Sequence, residues 1–258
     1  MKAALVTGSA AGLGKAIAIR LAKDGFNIAI ADLHERKAEV TELEEEITRL
    51  GGNSVYIPTD VSDKESVRAA IERAYEVLGS LDVVVNNAGI CLPEPINTLS
   101  VEKFNRMWQV NVLGCLYGIQ AAVGLWERIG QSSGKIINAS SVGGQTGGAY
   151  FGGYCATKFA ITALTQSAAK ELGPKGITVN AYCPGAFETG GFNQMVKDLH
   201  QMGIPQSEDQ IRNTYTKRSA LRRKSSPEDV ANVVSFLASS NSDHITGQSI
   251  VIDGGSKM

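Results

Sequence analysis

The sequence predicts a doubly wound parallel α/β sheet of about seven strands with helices on both faces. Short β-branched runs alternate with long amphipathic stretches from one end of the chain to the other. The short runs lack the period-two alternation of a half-wet sheet, so helices should cover both faces. The first run also ends in a glycine-rich turn that passes directly into a helix, as parallel βαβ units do.

Taken in order, residues 2–7 read as a strand and 12–23 as a helix, followed by a strand at 26–31 and a helix at 36–50. A strand at 54–57 leads to a helix at 64–78. A strand at 81–85 precedes helical segments across 101–129. A strand at 135–138 passes through a glycine-rich stretch into a helix at 154–172. A strand at 177–181, a helix at 227–238 and a strand at 249–252 complete the pattern. Residues 186–226 show no clear periodicity. So long a segment inside a compact domain reads as a lid or binding loop. No repeat or Pro/Ser linker divides the pattern, so residues 1–258 are expected to form one domain.

The chain has 258 residues, 43% hydrophobic and 20% charged, with a net charge of −1. That balance excludes a wholly disordered chain and lacks the basic footprint of a nucleic-acid binder. The apolar runs are four or five residues long, against the roughly 18 a membrane-spanning helix needs. The first residues turn polar too soon for a signal peptide. Cys91, Cys115, Cys155 and Cys183 are widely spaced, as free thiols of a reducing compartment are. A cytoplasmic protein that meets neither membrane nor nucleic acid is expected. His34, His200 and His244 are scattered, so no metal site is expected either.

The first turn reads Thr7-Gly8-Ser9-Ala10-Ala11-Gly12-Leu13-Gly14. Gly8 suits the tight turn, Gly12 a close approach of backbone to pyrophosphate, and Gly14 close helix–sheet packing; the helix N-terminus adds free N–H groups for phosphate. Asp32 ends the second strand 18 residues after Gly14, where a carboxylate binds ribose hydroxyls and repels a 2′-phosphate. Neither Ala11 nor Leu33 is basic, so NAD (NADH) is the expected cofactor of this Rossmann-type unit. Further on, Tyr154 and Lys158 stand four residues apart at a helix start, on one face. An ammonium there should lower the phenol pKa towards the range of acid–base work.

Together these residues resemble the classical short-chain dehydrogenase/reductase family along essentially the whole chain. The matches are Thr7-Gly8-x-x-x-Gly12-x-Gly14, Asp60-Val61, Asn86-Asn87-Ala88-Gly89, Asn111, Ser140-Ser141, Tyr154-x-x-x-Lys158, Pro184-Gly185 and Thr246-Gly247-Gln248 with Asp253-Gly254-Gly255. The resemblance implies that Tyr154 exchanges a proton with the carbonyl or alcohol and that Ser141 hydrogen-bonds the same oxygen. Ser140 is the competing serine, disfavoured by its spacing to Tyr154. Lys158 would serve the tyrosine and the nicotinamide ribose, and Asn111 would hold a water leading from Lys158 to solvent. Asp60 and Val61 would sit at the adenine and Asn87 and Gly89 along the adenosine. Pro184, Gly185, Phe187 and Thr189 would lie around the carboxamide and phosphates. A homotetramer or dimer packed through helices 101–129 and 154–172 is implied as well.

Within the family, Asn180 to Gly185, Ser226 to Asn232 and Thr246 to Gly255 look closest to the diacetyl/acetoin reductases, or 2,3-butanediol dehydrogenases. That implies a small ketone and secondary alcohol as substrate. Polyol dehydrogenases and 3-oxoacyl-thioester reductases are the alternatives, and the second usually prefers NADP, which Asp32 disfavours. Two stretches depart from the family pattern, residues 186–192 and the six glycines within 143–153. Gln145, Phe151, Phe187 and Phe192 are the candidate pocket walls. Lys217 to Lys224 holds five basic residues in eight, read as a solvated loop edge in preference to a phosphate contact.

Overall fold

The structure is a computed structural model and describes residues 2–187, 189–223 and 225–256, with the backbone only at 215 and 216. Glu188 and Lys224, from the two segments singled out above, lie outside the described residues.

Seven strands form one parallel sheet: β1 (Ala3–Thr7), β2 (Asn27–Asp32), β3 (Ser54–Pro58), β4 (Val83–Asn86), β5 (Gly134–Ala139), β6 (Ile177–Pro184) and β7 (Ser249–Ile252). Their order is β3-β2-β1-β4-β5-β6-β7. The chain winds outward from β1 to β3, crosses back to β4 and then winds the other way. The loops after β1 and β4 therefore diverge and open a crevice at the carboxyl edge, where ligands of such sheets bind.

The interior strands are buried along their length, β1, β4 and β6 almost without exposure. On one face α1 (Gly12–Lys23), α2 (Lys37–Arg49) and α9 (Pro227–Ala238) close a core around Ile17, Leu21, Leu43, Ile47 and Val234. On the other, α3 (Lys64–Leu78), α5 (Gly114–Arg128) and α6 (Gly152–Leu172) pack through Ile71, Ile119, Trp126 and Ile161. The expected helix over 101–129 is one path with a defect in it. The helix α4 (Val101–Met107) continues into α5 through a wider π turn at Trp108–Leu113. Such a turn re-aims the side chains it carries, and Asn111 stands in it.

Residues 186–226 are not the irregular loop expected. They hold α7 (Gly190–Gln201) and α8 (Glu208–Arg218). Phe192, Met195, Val196 and Leu199 lie along one face of α7 and pack on Ile204, Ile211 of α8 and Phe151. Thr189 caps α7 and a Ser207–Gln210 capping box starts α8. The ends of the segment meet in a parallel bridge between Phe187 and Ser225. The two helices are thus a flap that leaves and rejoins the fold at nearly one place.

Candidate active site

The glycine loop is shaped by what its residues lack. Gly8 and Gly12 have φ of 65° and 56°, left-handed values that suit glycine. A Cβ on Gly14 would overlap the Gly8 carbonyl oxygen and stand 2.6 Å from Asn87 Nδ2. Gly14 is therefore what lets α1 press onto the turn. The N-terminus of α1 has no side-chain cap and no acidic residue in its first turn, so its N–H groups and positive dipole end face the crevice uncompensated. Ala10 N donates to Asp32 Oδ2 (2.7 Å) and Leu33 N to Oδ1 (2.8 Å). The carboxylate at the end of β2 thus holds the loop. These features fit a dinucleotide.

Asp60 and Val61 follow β3, whose end is tied to that of β2 by Thr59 N donating to the main-chain oxygen of Asp32 (2.8 Å). Asp60 Oδ1 is occupied by Ser62 N (2.9 Å) and Ser62 Oγ (2.7 Å). Val61 packs where a Cβ on Gly114 would be 3.0 Å from its carbonyl oxygen. Asn87 binds the opposite side of the glycine loop: its Nδ2 donates to Thr7 O (2.8 Å) and Gly8 O (3.2 Å).

Ser141, Tyr154 and Lys158 converge where β5 and α6 meet. Lys158 is 4% exposed. Its Nζ donates to Ala139 O (2.7 Å) and lies 5.6 Å from the Tyr154 ring centre. Ser141 Oγ accepts from Gly143 N (3.0 Å) and donates to Pro184 O (3.4 Å), and it stands near enough to Tyr154 to act on the phenol. Ser140 is occupied differently: its Oγ donates to Lys158 O and meets Thr162 Oγ1, both at 3.1 Å. Ser140 therefore tethers α6, while Ser141 meets the phenol. The expected lowering of the tyrosine pKa by the lysine does not emerge. Burial pushes the Tyr154 phenol up, neighbouring Cys91 adds to this, and the Ser141 hydroxyl pulls the other way. Burial also drives Lys158 down to about 8. Desolvation outweighs the attraction of a fixed ammonium because both groups sit inside the protein.

Asn111 is buried, and its amide is committed. Oδ1 accepts from Ile90 N (2.8 Å), while Nδ2 donates to Ile90 O (2.9 Å) and Thr157 Oγ1 (3.1 Å). The side chain therefore joins the π turn to the segment after β4 and to α6. Gly89 lies against this pair: a Cβ there would be 3.2 Å from Asn111 Oδ1 and 3.4 Å from Lys158 Nζ.

Ser141, Tyr154 and Lys158 border a cleft of about 1110 Å³ that runs from Leu13, Asn87 and Gly89 past Tyr154 to the flap, while Asn111 does not line it. Pro184, Gly185, Phe187 and Thr189 line it, with Thr189 3.7 Å from where a Gly12 Cβ would be. Phe151 and Phe192 line it too, with Val142, Met195 and Leu199. Phe187 is 4% exposed and belongs equally to the core. Gln145 does not border the cleft. It is exposed, and its Nε2 points to Cys183 Sγ (3.6 Å), because the short 3-10 turn Val142–Gly144 carries it past the opening. Arg223 of the basic segment is paired with Asp229 (2.7 and 2.8 Å), which holds that carboxyl down near about 2.

Sequence reading missed Tyr182 and Cys91, which line the cleft. A buried tyrosine needs a partner for its hydroxyl, and that was the available signal. Among the described residues, no three His, Cys, Asp or Glu side chains are grouped to hold a metal ion, and no helix is long and apolar enough to cross a membrane.

The family described as enoyl-(acyl carrier protein) reductase matches residues 8–257. A diacetyl reductase, (S)-acetoin forming, of Staphylococcus epidermidis is 44% identical over 254 residues, covering 98% of each chain. An L-2,3-butanediol dehydrogenase of Corynebacterium glutamicum is 44% identical over 255 residues, again covering 98% of each. Among solved structures, a levodione reductase superposes with a TM-score of 0.91 at 28% identity, covering 98% of this chain and 96% of that one. A short-chain type dehydrogenase/reductase from Mycobacterium marinum gives 0.88 at 31%, covering 99% and 95%. Relatives this similar along nearly all of both chains leave one assignment: the chain belongs to the short-chain dehydrogenase/reductase family, oxidoreductases of the CH–OH group.

Proposed function

We propose that the protein interconverts diacetyl, acetoin and 2,3-butanediol with NAD(H), in the cytoplasm, as a homotetramer or dimer whose chains each form one catalytic domain. The carrying observation is that Ser141 and Tyr154 line one cleft with the apolar Val142, Phe151, Phe192, Met195 and Leu199. A small ketone suits such walls. Thr146, Gln194 and Arg212 line the cleft as well, and it is the apolar share of the lining that favours the small ketone. The names of the 44% identical relatives point the same way.

Gly8, Gly12, Leu13 and Gly14 would hold the pyrophosphate side of the cofactor and Asp32 its adenosine ribose, with Asp60, Val61, Asn87 and Gly89 around the adenosine. Pro184, Gly185, Phe187 and Thr189 would border the nicotinamide end. The nicotinamide supplies the hydride. In reduction Tyr154 gives its phenolic proton to the carbonyl oxygen, and Ser141 donates a hydrogen bond to the same oxygen as charge develops there. Lys158 stabilises the phenolate left behind, and Asn111 keeps the π turn in register beneath it. Phe151 and Phe192 close over the substrate from the flap side.

The test is NADH oxidation with diacetyl and acetoin, beside ketoses and an acetoacetyl thioester, repeated with NADPH. Fast turnover of the diketone with NADH is expected. Turnover confined to ketoses would instead make the protein a polyol dehydrogenase, and thioester reduction with NADPH a 3-oxoacyl-thioester reductase.

A further inference from the structure

We infer that Tyr182 is a positioning residue for dinucleotide binding, its hydroxyl fixing the Asn87 amide against which the glycine loop is set. The inference rests on reading that loop as the NAD(H) site.

Tyr182 stands in β6, three strands from β1, and is completely buried. Its hydroxyl donates to Asn87 Oδ1 at 2.8 Å. The other end of that amide, Nδ2, faces Thr7 O (2.8 Å) and Gly8 O (3.2 Å). A carboxamide can turn over, exchanging its oxygen and nitrogen. Turned over here, its oxygen would face two carbonyl oxygens. The Tyr182 hydroxyl, by donating to Oδ1, selects the orientation in which Nδ2 meets those carbonyls. Thr7 completes the clamp, its Oγ1 accepting from Asn87 N (2.9 Å) and Ala88 N (3.0 Å). The glycine loop has little slack around this amide. A Cβ on Gly14 would be 2.6 Å from Asn87 Nδ2, and one on Gly8 3.1 Å from it. A displaced Asn87 would therefore displace both glycines, and with them the N–H groups offered to phosphate. The tyrosine ring fills space that phenylalanine would also fill, so the hydroxyl is what the clamp uses.

Tyr182→Phe in the full chain tests this, with NADH binding read by fluorescence and with steady-state kinetics. Without the hydroxyl a buried acceptor loses its donor. The expected result is NADH bound about ten-fold more weakly, KM for NADH rising in parallel, and kcat within about two-fold of wild type. Tyr182→Leu, which removes the ring as well, should weaken NADH binding to a similar degree while losing more thermal stability. Thr7→Val should weaken binding too, and the Tyr182→Phe/Thr7→Val pair should lose less than the product of the single effects, as parts of one clamp do. Tyr182→Phe binding NADH like wild type would overturn the inference, as would strictly multiplicative losses in the pair. A wild-type protein that binds no NADH would overturn the reading of the loop itself.

Discussion

Burial acts on Tyr154 and Lys158 in opposite directions: the phenol is held above its ordinary value and the ammonium is brought down to about 8. The lysine then gains and loses its proton inside the working pH range. On the proposed chemistry the Tyr154 phenolate, product of the reduction and base of the oxidation, needs a charged neighbour, so kcat/KM for ketone and alcohol alike should fall as Lys158 loses its proton above about 8. Lys158→Met should abolish that inflection in both directions; a profile unchanged in shape would detach Lys158 from it. Stability follows the same linkage. Between about 8 and the ordinary lysine value of 10.5 the unfolded chain binds the proton that the folded chain has released. The contribution of Lys158 to stability therefore increases with pH across that window, and Lys158→Met should flatten the rise in Tm. Tyr154→Phe keeps the ring and removes the proton, so turnover should drop about 10³-fold while NADH binding persists; residual turnover near wild type would mean the donor is another group. These residues were legible in the sequence because four-residue spacing on a helix places two side chains together whatever the tertiary fold. The balance between their charges was not, because burial depends on the elements packed around them.

Elements show the same division between what is local and what is not. The β1–α1 turn was readable because its glycines answer local demands, a positive φ at Gly8 and close contact at Gly14. Gly14→Ala has no room for its methyl against the Gly8 carbonyl and Asn87, and backbone cannot yield as a side-chain tip can. Loss of measurable NADH binding and about 3 kcal/mol of stability are expected, read by titration and denaturant melts. The flap is the counterexample. Phe192, Met195, Val196 and Leu199 follow helical spacing, and Ser207 with Gln210 is a capping pair, yet glycines and prolines around them hide two short helices. Their amphipathic faces meet each other and Phe151 instead of the sheet, so no strand–helix alternation announced them. Ser207→Ala removes the cap of α8 at about 1 kcal/mol. Because α8 has only a small private core, amide exchange should quicken in α7 and α8 while the sheet keeps its protection; uniform quickening would mean the flap and sheet open together.

At the scale of the whole molecule, topology does what spacing along the chain cannot. Reversal of strand order between β1 and β4 sets residues near 10, 32, 87, 154 and 184 along one carboxyl edge. The alternation of strands and helices was enough to predict that edge. The shape of the cleft above it comes from long-range packing, which is why Gln145 was misplaced and Tyr182 overlooked. The outer surface carries the remaining whole-molecule consequence. Ile96, Val101 and Phe159 are 75%, 67% and 45% exposed, the last two on the helices α4 and α6 through which association is proposed. Large apolar side chains left this open mark an interaction surface when they stand together. Phe159 directly follows Lys158 in α6, so the residue that would meet a second copy is joined to the helix that holds Tyr154 and Lys158. Light scattering of the wild type should report a tetramer or dimer. Phe159→Glu, which would bury a charge in that contact, should shift the population to smaller species and lower turnover together, since α6 would lose an outer support. A wild type that stays monomeric at all working concentrations would remove the assembly, and a dissociated Phe159→Glu of full activity would show that α6 holds its catalytic face without it.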